Sequence, residues 1–180
     1  VGEEDRAWGI HRQRPHILPF LTGERSPNWN AYARGILFGL SYFHERSALL
    51  QAAFEGVAFR IRSIYDLLQE VMGKPHRVVI SGGFASSDKG QRVLCDVLGA
   101  PVELSSYPSA PAKGAFLLSC KLRGKVSSLN ELPASFFPSY PVIEPDSEAR
   151  EFYKEFYEFY QKVYWKNQEL FQEFSRFRLA

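Results

Sequence analysis

The residues best suited to chemistry lie in a short glycine turn. Residues 77–102 read RVVISGGFASSDKGQRVLCDVLGAPV, in which Gly82 and Gly83 separate a β-branched run from an amphipathic stretch. A Gly-Gly turn permits backbone conformations and close approaches that a Cβ would block. The amides at the start of the following helix could receive an anion, or a flat ring could lie along the bare backbone. The pattern indicates a ligand-binding turn or a simple tight connection.

Two common phosphate-binding patterns are absent from this turn. It is not the GxGxxG of a dinucleotide-binding fold, and it is not the GxxxxGK[ST] of a phosphate-cradling loop. The glycines alone therefore do not identify a ligand.

The elements around the turn indicate an α/β unit. Asp88 is the predicted N-cap of the helix after the turn, and Gln91 completes something close to a capping box. A loop rich in Ser and Pro (105–111) precedes a second helix. The predicted order is strand 77–80, turn 81–87, helix 89–98, strand 102–104 and helix 112–122. Alternating strands and helices favour parallel strands.

The segments before this unit are an extended stretch and two predicted helices. Residues 16–21 are apolar and extended, and residues 31–40 predict a short helix. A long helix covers about 45–72 and ends at Gly73, with Pro75 just beyond. Seven residues spaced by three and four make one apolar stripe on it: Leu50, Phe54, Val57, Ile61, Ile64, Leu68 and Val71.

The segments after the unit are a proline-rich connection and an aromatic helix. We predict that 124–147 is an ordered surface connection, because Phe136, Phe137 and Tyr140 favour burial. Residues 148 to about 176 predict a helix whose aromatic stripe belongs to the core. A partner-binding or membrane-surface helix is the alternative, disfavoured because Lys and Glu are interspersed. We expect one domain over 1–180, with an α/β part (1–123), the connection (124–147) and the aromatic helix (148–180).

Composition excludes several classes of protein. The net charge of +2 is too balanced for a protein that wraps nucleic acid. Cys95 and Cys120 lack metal-ligand spacing, and the four histidines are scattered, so we expect free thiols in a reduced compartment and no metal site. There is no apolar run of membrane-spanning length and no signal peptide, which favours a cytoplasmic protein without membrane contact. Because the chain begins at Val1 and its one methionine is Met72, we expect part of a longer protein.

Three stretches together resemble a known family. They are LPFLTGERSPNWNAYARGILFGL, LLQAAFEGVAFRIRSIYDLL, and ISGGFASSDKGQRVLCDVLGAPV followed by SAPAKGAFLLS. The last is similar to the adenosine-binding motif of the FGGY carbohydrate kinases, and the first two resemble the segments that precede it, in order and spacing. The resemblance covers residues 17 to about 122. Within the family, GERSPNWNAYARG, Phe84 in GGFAS and the aromatic helix are most similar to gluconate kinases.

The resemblance implies a fold and an activity. The fold would be part of an actin-like (ribonuclease H-like) ATPase domain, helix-rich with a small parallel sheet. The activity would be transfer of the γ-phosphoryl group of ATP to a sugar hydroxyl with Mg²⁺. The chain resembles the latter part of the C-terminal domain, so the N-terminal kinase domain would be a missing partner. The resemblance does not decide the oligomeric state, and a homodimer is one of the alternatives.

The resemblance also implies roles for individual residues. Gly82, Gly83 and Phe84 would lie against adenine and ribose, and Ser87 would hydrogen-bond the base or the sugar. Ser86 departs from the family, which mostly has Arg or Lys there, and Phe116 replaces a usual alanine. Asp5, Asp66, Asp88, Asp96 and Asp146 are the only aspartates, and none occupies the position of the family's base. We therefore name no catalytic residue, and we interpret Asp66 and Asp96 as solvated helix residues.

Arg25, in the loop Gly23-Glu24-Arg25, has two interpretations. It could make an interdomain or phosphate-side contact, or Glu24 and Arg25 could form a buried staple within the loop, which we favour.

The leading hypothesis is the nucleotide-binding part of a gluconate kinase that is inactive by itself. The alternatives are a kinase for another substrate, such as xylulose or glycerol, and a non-catalytic binding module descended from a kinase.

Overall fold

The computed structural model describes residues 13–105, 109–128, 131–132, 136 and 140–177. In chain order the strands and helices are β1 (His16–Leu18), β2 (Ile36–Phe38), α1 (Arg46–Met72), β3 (Val79–Ile80), α2 (Asp88–Leu98), β4 (Val102–Leu104), α3 (Ala110–Leu122), β5 (Val142–Ile143), α4 (Ser147–Lys166) and α5 (Gln168–Phe174). One short 3₁₀ turn (Phe84–Ser86) precedes α2, and another (Ser175–Phe177) follows α5. Asp5, one of the four histidines (His11), and Phe137, whose burial the sequence predicts, lie outside the described residues.

The strands form two small sheets. β3 pairs with β4 in parallel, with Ile80 opposite Leu104, which is the parallel pair that the strand-helix-strand pattern predicts. β5, from the proline-rich connection, adds an antiparallel strand to β4. The sheet is therefore mixed, which the sequence pattern did not indicate. β1 and β2 form a separate antiparallel pair.

The short helix predicted over 31–40 is wrong, because this stretch contains β2 instead. Ile36 pairs with Leu18 of β1, and glycines stand on both sides of the strand. Gly35 and Gly39 weaken a short isolated helix, and Gly39 has a φ of 76°. Pairing with β1 satisfies the backbone groups that a helix would otherwise satisfy.

The long helix is confirmed and ends where its sequence signals predict. α1 runs from Arg46 to Met72, and Gly73 follows with a φ of 79°. The amide of Gly73 donates to the carbonyl of Gln69 at 2.9 Å, which satisfies one of the last carbonyls of the helix.

Only part of the apolar stripe of α1 packs against the rest of the described chain: Ile61 lies against the core, and Phe54 contacts Phe84. Leu50, Val57, Leu68 and Val71 are exposed, with Val71 76% accessible. The buried face instead carries Gln51, Ala52, Glu55, Gly56, Ala58 and Phe59. Its small residues allow a close approach: a Cβ on Gly56 would lie 2.3 Å from the carbonyl oxygen of Ile17.

The aromatic helix packs on α1, α2 and β1, as predicted for a core helix. Its buried aromatic residues are Phe152, Tyr153, Phe156, Tyr157, Tyr160, Tyr164 and Phe171. The helix is not continuous to 176, because it breaks at Asn167 into α4 and α5. Beyond the break, Phe174 and Phe177 are exposed.

A buried ion pair joins three parts of the chain. Arg14, ahead of β1, contacts Glu55 of α1 at 2.7 Å, and both side chains are 3% exposed. The hydroxyl of Tyr153 donates to the same carboxylate at 2.9 Å, as does the amide of Gln51. Burial raises the pKa of Glu55, while Arg14 and these two donors act in the opposite direction.

His16 of β1 is a packing residue. Its ring lies 4.6 Å from that of Phe156 and 4.8 Å from that of Phe159. Burial, and then the nearby Arg14 charge, lower the pKa of His16 to about 4. The imidazole is therefore neutral at pH 7.

Candidate functional site

The glycine turn leaves the carboxyl end of β3 and enters α2 through one short 3₁₀ turn. Gly82 has a φ of 77°, in the region that favours glycine. The amide of Ser86 donates to the carbonyls of both Gly82 and Gly83, at 3.2 and 3.3 Å. A residue with a Cβ at Gly82 would be strained whatever space surrounds it.

Gly83 differs from its neighbour, because its backbone is ordinary. Its φ of −56° is right-handed helical, which any residue adopts. A Cβ built there meets no described atom within 4 Å, and both glycines are exposed. The turn therefore presents bare backbone to open space at Gly83.

Phe84 anchors the turn to α1. Its half-buried ring packs edge-on against Phe54, with 5.7 Å between the ring centroids. A Cβ on Gly90 of α2 would lie 3.1 Å from Phe54 and 3.2 Å from Phe84, so the glycine lets the helix approach both rings. The position of the turn relative to α1 and α2 thus rests on Phe84.

Ser87 is the N-cap of α2, and the predicted cap Asp88 is wrong. The side-chain oxygen of Ser87 accepts from the amide of Gly90 at 3.2 Å, while Asp88 occupies the first turn. A serine cap still has its hydroxyl hydrogen to donate, and no acceptor for that hydrogen occurs among the described residues. Gln91 does not complete a capping box with the N-cap residue. Its side-chain amide instead donates to the carbonyl of Ala85 in the turn, at 2.8 Å.

A second helix start follows the neighbouring strand along the chain. The carboxyl ends of parallel strands meet at one edge of a sheet, and the amide of Ser105, after β4, donates to the carbonyl of Ile80 at 3.0 Å. α3 then begins with Ser109 as its N-cap, which accepts from the amide of Ala112 at 3.2 Å. Two helix N-termini therefore follow adjacent strands, which is an arrangement suited to a ligand with anionic groups.

Arg25 does not form the predicted staple with Glu24. Glu24 is buried, and its carboxylate contacts Arg60 of α1 at 2.7 Å. Tyr164 and Asn28 also donate to it. Arg25 itself is exposed. The staple hypothesis is therefore wrong, and the interdomain or phosphate-side contact stays a prediction.

Asp96 is also not the solvated residue that the sequence indicates. It is buried on α2, where its carboxylate accepts from the amide of Asp146 at 2.8 Å. Burial raises the pKa of Asp96, opposed by this hydrogen bond and by Arg92. The Asp96 carboxylate therefore links the start of α4 to α2 through this hydrogen bond. Asp146 in turn caps α4 by accepting from the amide of Ala149.

Two kinds of feature are absent from the described residues: a cluster of metal-binding side chains and a helix that could span a membrane. No group of three or more His, Cys, Asp and Glu side chains is placed to hold a metal ion in that part of the chain. Within the same residues, no helix combines the length and apolar character needed to cross a bilayer.

Comparison with known sequences finds carbohydrate kinases. The profile described as "FGGY family of carbohydrate kinases, C-terminal domain" matches residues 3–122. A gluconokinase of Bacillus subtilis (strain 168) is 30% identical over 135 residues, which is 74% of this chain and 26% of that protein. A xylulose kinase of the same organism is 29% identical over 160 residues, covering 89% of this chain and 32% of that protein. The chain thus spans at most about a third of these relatives.

Solved structures of similar fold include kinases from two further organisms. Gluconate kinase from Lactobacillus acidophilus matches with a TM-score of 0.80 and 23% identity, over 96% of this chain and 35% of that one. Glycerol kinase from Plasmodium falciparum with ADP matches with a TM-score of 0.69 and 24% identity, over 89% and 32%. At these identities, the two structures support the fold.

Proposed function

The chain belongs to the FGGY family of carbohydrate kinases, and on this basis we propose that the whole protein phosphorylates gluconate to 6-phosphogluconate with MgATP. The fold is part of the actin-like (ribonuclease H-like) ATPase fold of these kinases, with a small mixed sheet. In the proposal, this chain is the nucleotide-binding part of the C-terminal domain, and the N-terminal kinase domain lies outside it.

The observation that carries the proposal is the open backbone at Gly83. Adenine and ribose would lie against Gly82, Gly83 and Phe84. A Cβ built at either glycine meets no described atom within 4 Å, so the backbone there is open to a ligand. Ser87 would donate its hydroxyl hydrogen to the base or the sugar, while its oxygen continues to cap α2. These groups fit an adenosine, and an ADP-bound structure is among the proteins of similar fold.

ATP would supply the transferred phosphoryl group, with Mg²⁺ accompanying its phosphates. The described residues of this chain would hold and orient the nucleoside. We assign them no catalytic base and no Mg²⁺ ligand. Arg25 is proposed as an interdomain or phosphate-side contact, because its charge is exposed on a loop.

The proposal also places the protein in the cytoplasm. Cys95 and Cys120 are both free thiols, which suits a reducing compartment where ATP is the phosphoryl donor.

Xylulose is the second candidate substrate. The alignment with the xylulose kinase is longer than that with the gluconokinase, 160 against 135 residues, at nearly equal identity. Gluconate is preferred on the motif GERSPNWNAYARG, Phe84 and the aromatic helix. Glycerol is a further alternative, because glycerol kinases are among the relatives.

A coupled ADP-release assay on the full protein tests the proposal. We expect gluconate to give the highest kcat/KM among gluconate, xylulose and glycerol, and the 180-residue chain alone to give no turnover. A preference for xylulose or glycerol would change the proposed substrate but would still support the proposed kinase activity. Nucleotide binding without turnover on any of the three would support a non-catalytic module instead.

A further inference from the structure

Side chains hold the glycine turn from two sides. Phe84 packs edge-on against Phe54 of α1, with 5.7 Å between the ring centroids. From α2, the side-chain amide of Gln91 donates to the carbonyl of Ala85 at 2.8 Å. The ring contact fixes where the turn lies against α1. The hydrogen bond is directional, so it also fixes the orientation of the Ala85 carbonyl.

The hydrogen bonds within the turn itself are long. The amide of Ser86 donates to the carbonyls of Gly82 and Gly83 at 3.2 and 3.3 Å, and its hydroxyl donates to the carbonyl of Gly82 at 3.2 Å. Hydrogen bonds of 3₁₀ geometry are poorer than those of an α-helix. The Gln91 bond, at 2.8 Å, is shorter than all of these. The turn therefore depends on a side chain of α2 for a well-formed hydrogen bond.

Ala85 stands midway along the chain between the two groups that the proposed nucleotide site uses. Gly83, two residues before it, presents open backbone. Ser87, two residues after it, carries the hydroxyl that caps α2. Each residue has two freely rotating backbone angles, so a rotation at Ala85 changes the distance and direction from Gly83 to Ser87. The Gln91 bond thus holds the residue that relates these two groups.

Gln91 is itself held in place. Its backbone amide donates to the carbonyl of Ser87 at 2.8 Å, and its side chain is half-buried. The helix that carries it belongs to the core through Val93, Leu94, Cys95, Val97 and Leu98. The side-chain amide therefore extends from a rigid element to the turn.

We propose that Gln91 is a positioning residue for the nucleotide, which acts through the Ala85 carbonyl to hold the turn in the conformation that receives adenosine. The inference rests on the proposed nucleotide site at the turn. Without this hydrogen bond the turn populates other conformations, and the apparent Kd rises as the binding-competent fraction falls. Support of a contact residue by a neighbour of this kind preorganises a site and raises its affinity.

Gln91→Met in the full protein removes the donor but keeps the side-chain length and a similar helix propensity. We expect the KM for ATP at saturating gluconate, and the Kd of a non-hydrolysable ATP analogue, to rise about three- to tenfold, which corresponds to a competent fraction of roughly 10–30%. The kcat should stay within about twofold, because an interaction made equally in the ground and transition states changes KM alone. The KM for gluconate should not change.

Hydrogen exchange without nucleotide measures the turn directly. The amides of Ser86 and Ser87 should exchange at least about threefold faster in Gln91→Met than in the parent, because an amide exchanges when its hydrogen bond opens. The melting temperature should fall by no more than about 4 °C, the effect of one lost hydrogen bond.

Gln172→Met is the matched control. Gln172 is exposed on α5, so the same substitution there should leave the exchange of the turn, the Kd of the analogue and the KM for ATP unchanged.

Three results would overturn the role of Gln91. One is unchanged exchange at Ser86 and Ser87 in Gln91→Met. The second is a parental Kd for the ATP analogue in that variant, and the third is a loss confined to kcat.

Gly83→Val, which fills the space proposed for adenosine, separates these results from failure of the proposed function. If Gly83→Val weakens binding of the ATP analogue and Gln91→Met does not, the nucleotide site is supported and the positioning role is wrong. If neither variant weakens binding, the nucleotide site itself is wrong, and so is the role of Gln91.

Discussion

Two adjacent glycines of the turn have different structural requirements. Gly82 has a positive φ of 77°, so its backbone requires glycine. Gly83 has a helical φ and open space where a Cβ would project. The conformation of the turn therefore explains the first glycine but not the second. A ligand that approaches the backbone closely would account for Gly83.

Gly83→Val separates the two explanations of the turn. The added side chain would project into the space proposed for adenosine, so we expect at least a tenfold loss of ATP affinity in the full protein. The melting temperature should stay within about 2 °C of the parent, because an unstrained surface change rarely exceeds ~0.5 kcal/mol. Titration calorimetry with a non-hydrolysable ATP analogue and thermal melts measure both.

Gly82→Val is the matched control for strain. It places a β-branched residue at positive φ, which costs about 1–3 kcal/mol, so its melting temperature should fall. An ATP affinity in Gly83→Val equal to that of the parent would remove this turn from the nucleotide site.

At the scale of elements, α4 holds the N-terminal segment, α1 and α2 together. α4 contacts all three, and two buried acids of other elements, Glu55 and Glu24, accept hydrogen bonds from the hydroxyl groups of Tyr153 and Tyr164. The helix therefore contributes both apolar area and hydrogen bonds to the core. Removing the hydroxyl of Tyr153 or Tyr164 would take a hydrogen-bond donor from a buried carboxylate, which costs more than the hydrogen bond itself contributes.

Phe156→Ala measures the packing of α4. Phe156 is 9% exposed and its ring lies 4.2 Å from that of Phe152 and 4.6 Å from that of His16. We expect a loss of about 3–4 kcal/mol in the free energy of unfolding, as for other buried Phe→Ala changes. Urea unfolding of the full protein gives the measurement.

Phe174→Ala is the control for this prediction. It removes the same side chain from α5, where Phe174 is 58% exposed, and should cost less than about 1 kcal/mol. Equal and small losses for both variants, together with loss of a bound partner for Phe156→Ala, would favour the partner-binding interpretation of the helix.

At the scale of the whole molecule, this chain leaves apolar surface without a described neighbour. The exposed stripe of α1 includes Leu50, Val57, Leu68 and Val71, and Phe116 and Leu122 of α3 are also exposed. Contiguous apolar patches of this kind usually mark contacts with other protein surface. Because the chain spans only 26–32% of two curated relatives, we expect the rest of the kinase to cover the stripe.

Cysteine labelling tests whether the stripe is covered. Val71→Cys in the full protein should react with a water-soluble maleimide at least tenfold more slowly than Glu158→Cys, which lies on the exposed face of α4. A cysteine beneath packed apolar surface reacts only when that surface opens. Equal rates at the two positions would show that the stripe stays in solvent.

The sequence by itself determined the elements that depend on local signals. α1 ends at a glycine followed by a proline, β4 follows the helix stop at Gly99, and the aromatic spacing of α4 identified a core helix. The motifs also determined the family, because a long run of matched residues is more specific than one turn. These features follow from propensity, capping and periodicity, which act over a few neighbouring residues.

Tertiary structure alone decided which groups meet. Glu24 pairs with Arg60 rather than the adjacent Arg25, and Asp96 is buried by the start of α4. α1 buries its small residues because β1 approaches at Gly56, and residues 36–38 form a strand because β1 offers a partner. Each outcome depends on residues distant in the chain, whose approach is set by packing and by the satisfaction of buried polar groups. Local sequence patterns carry no information about those distant partners.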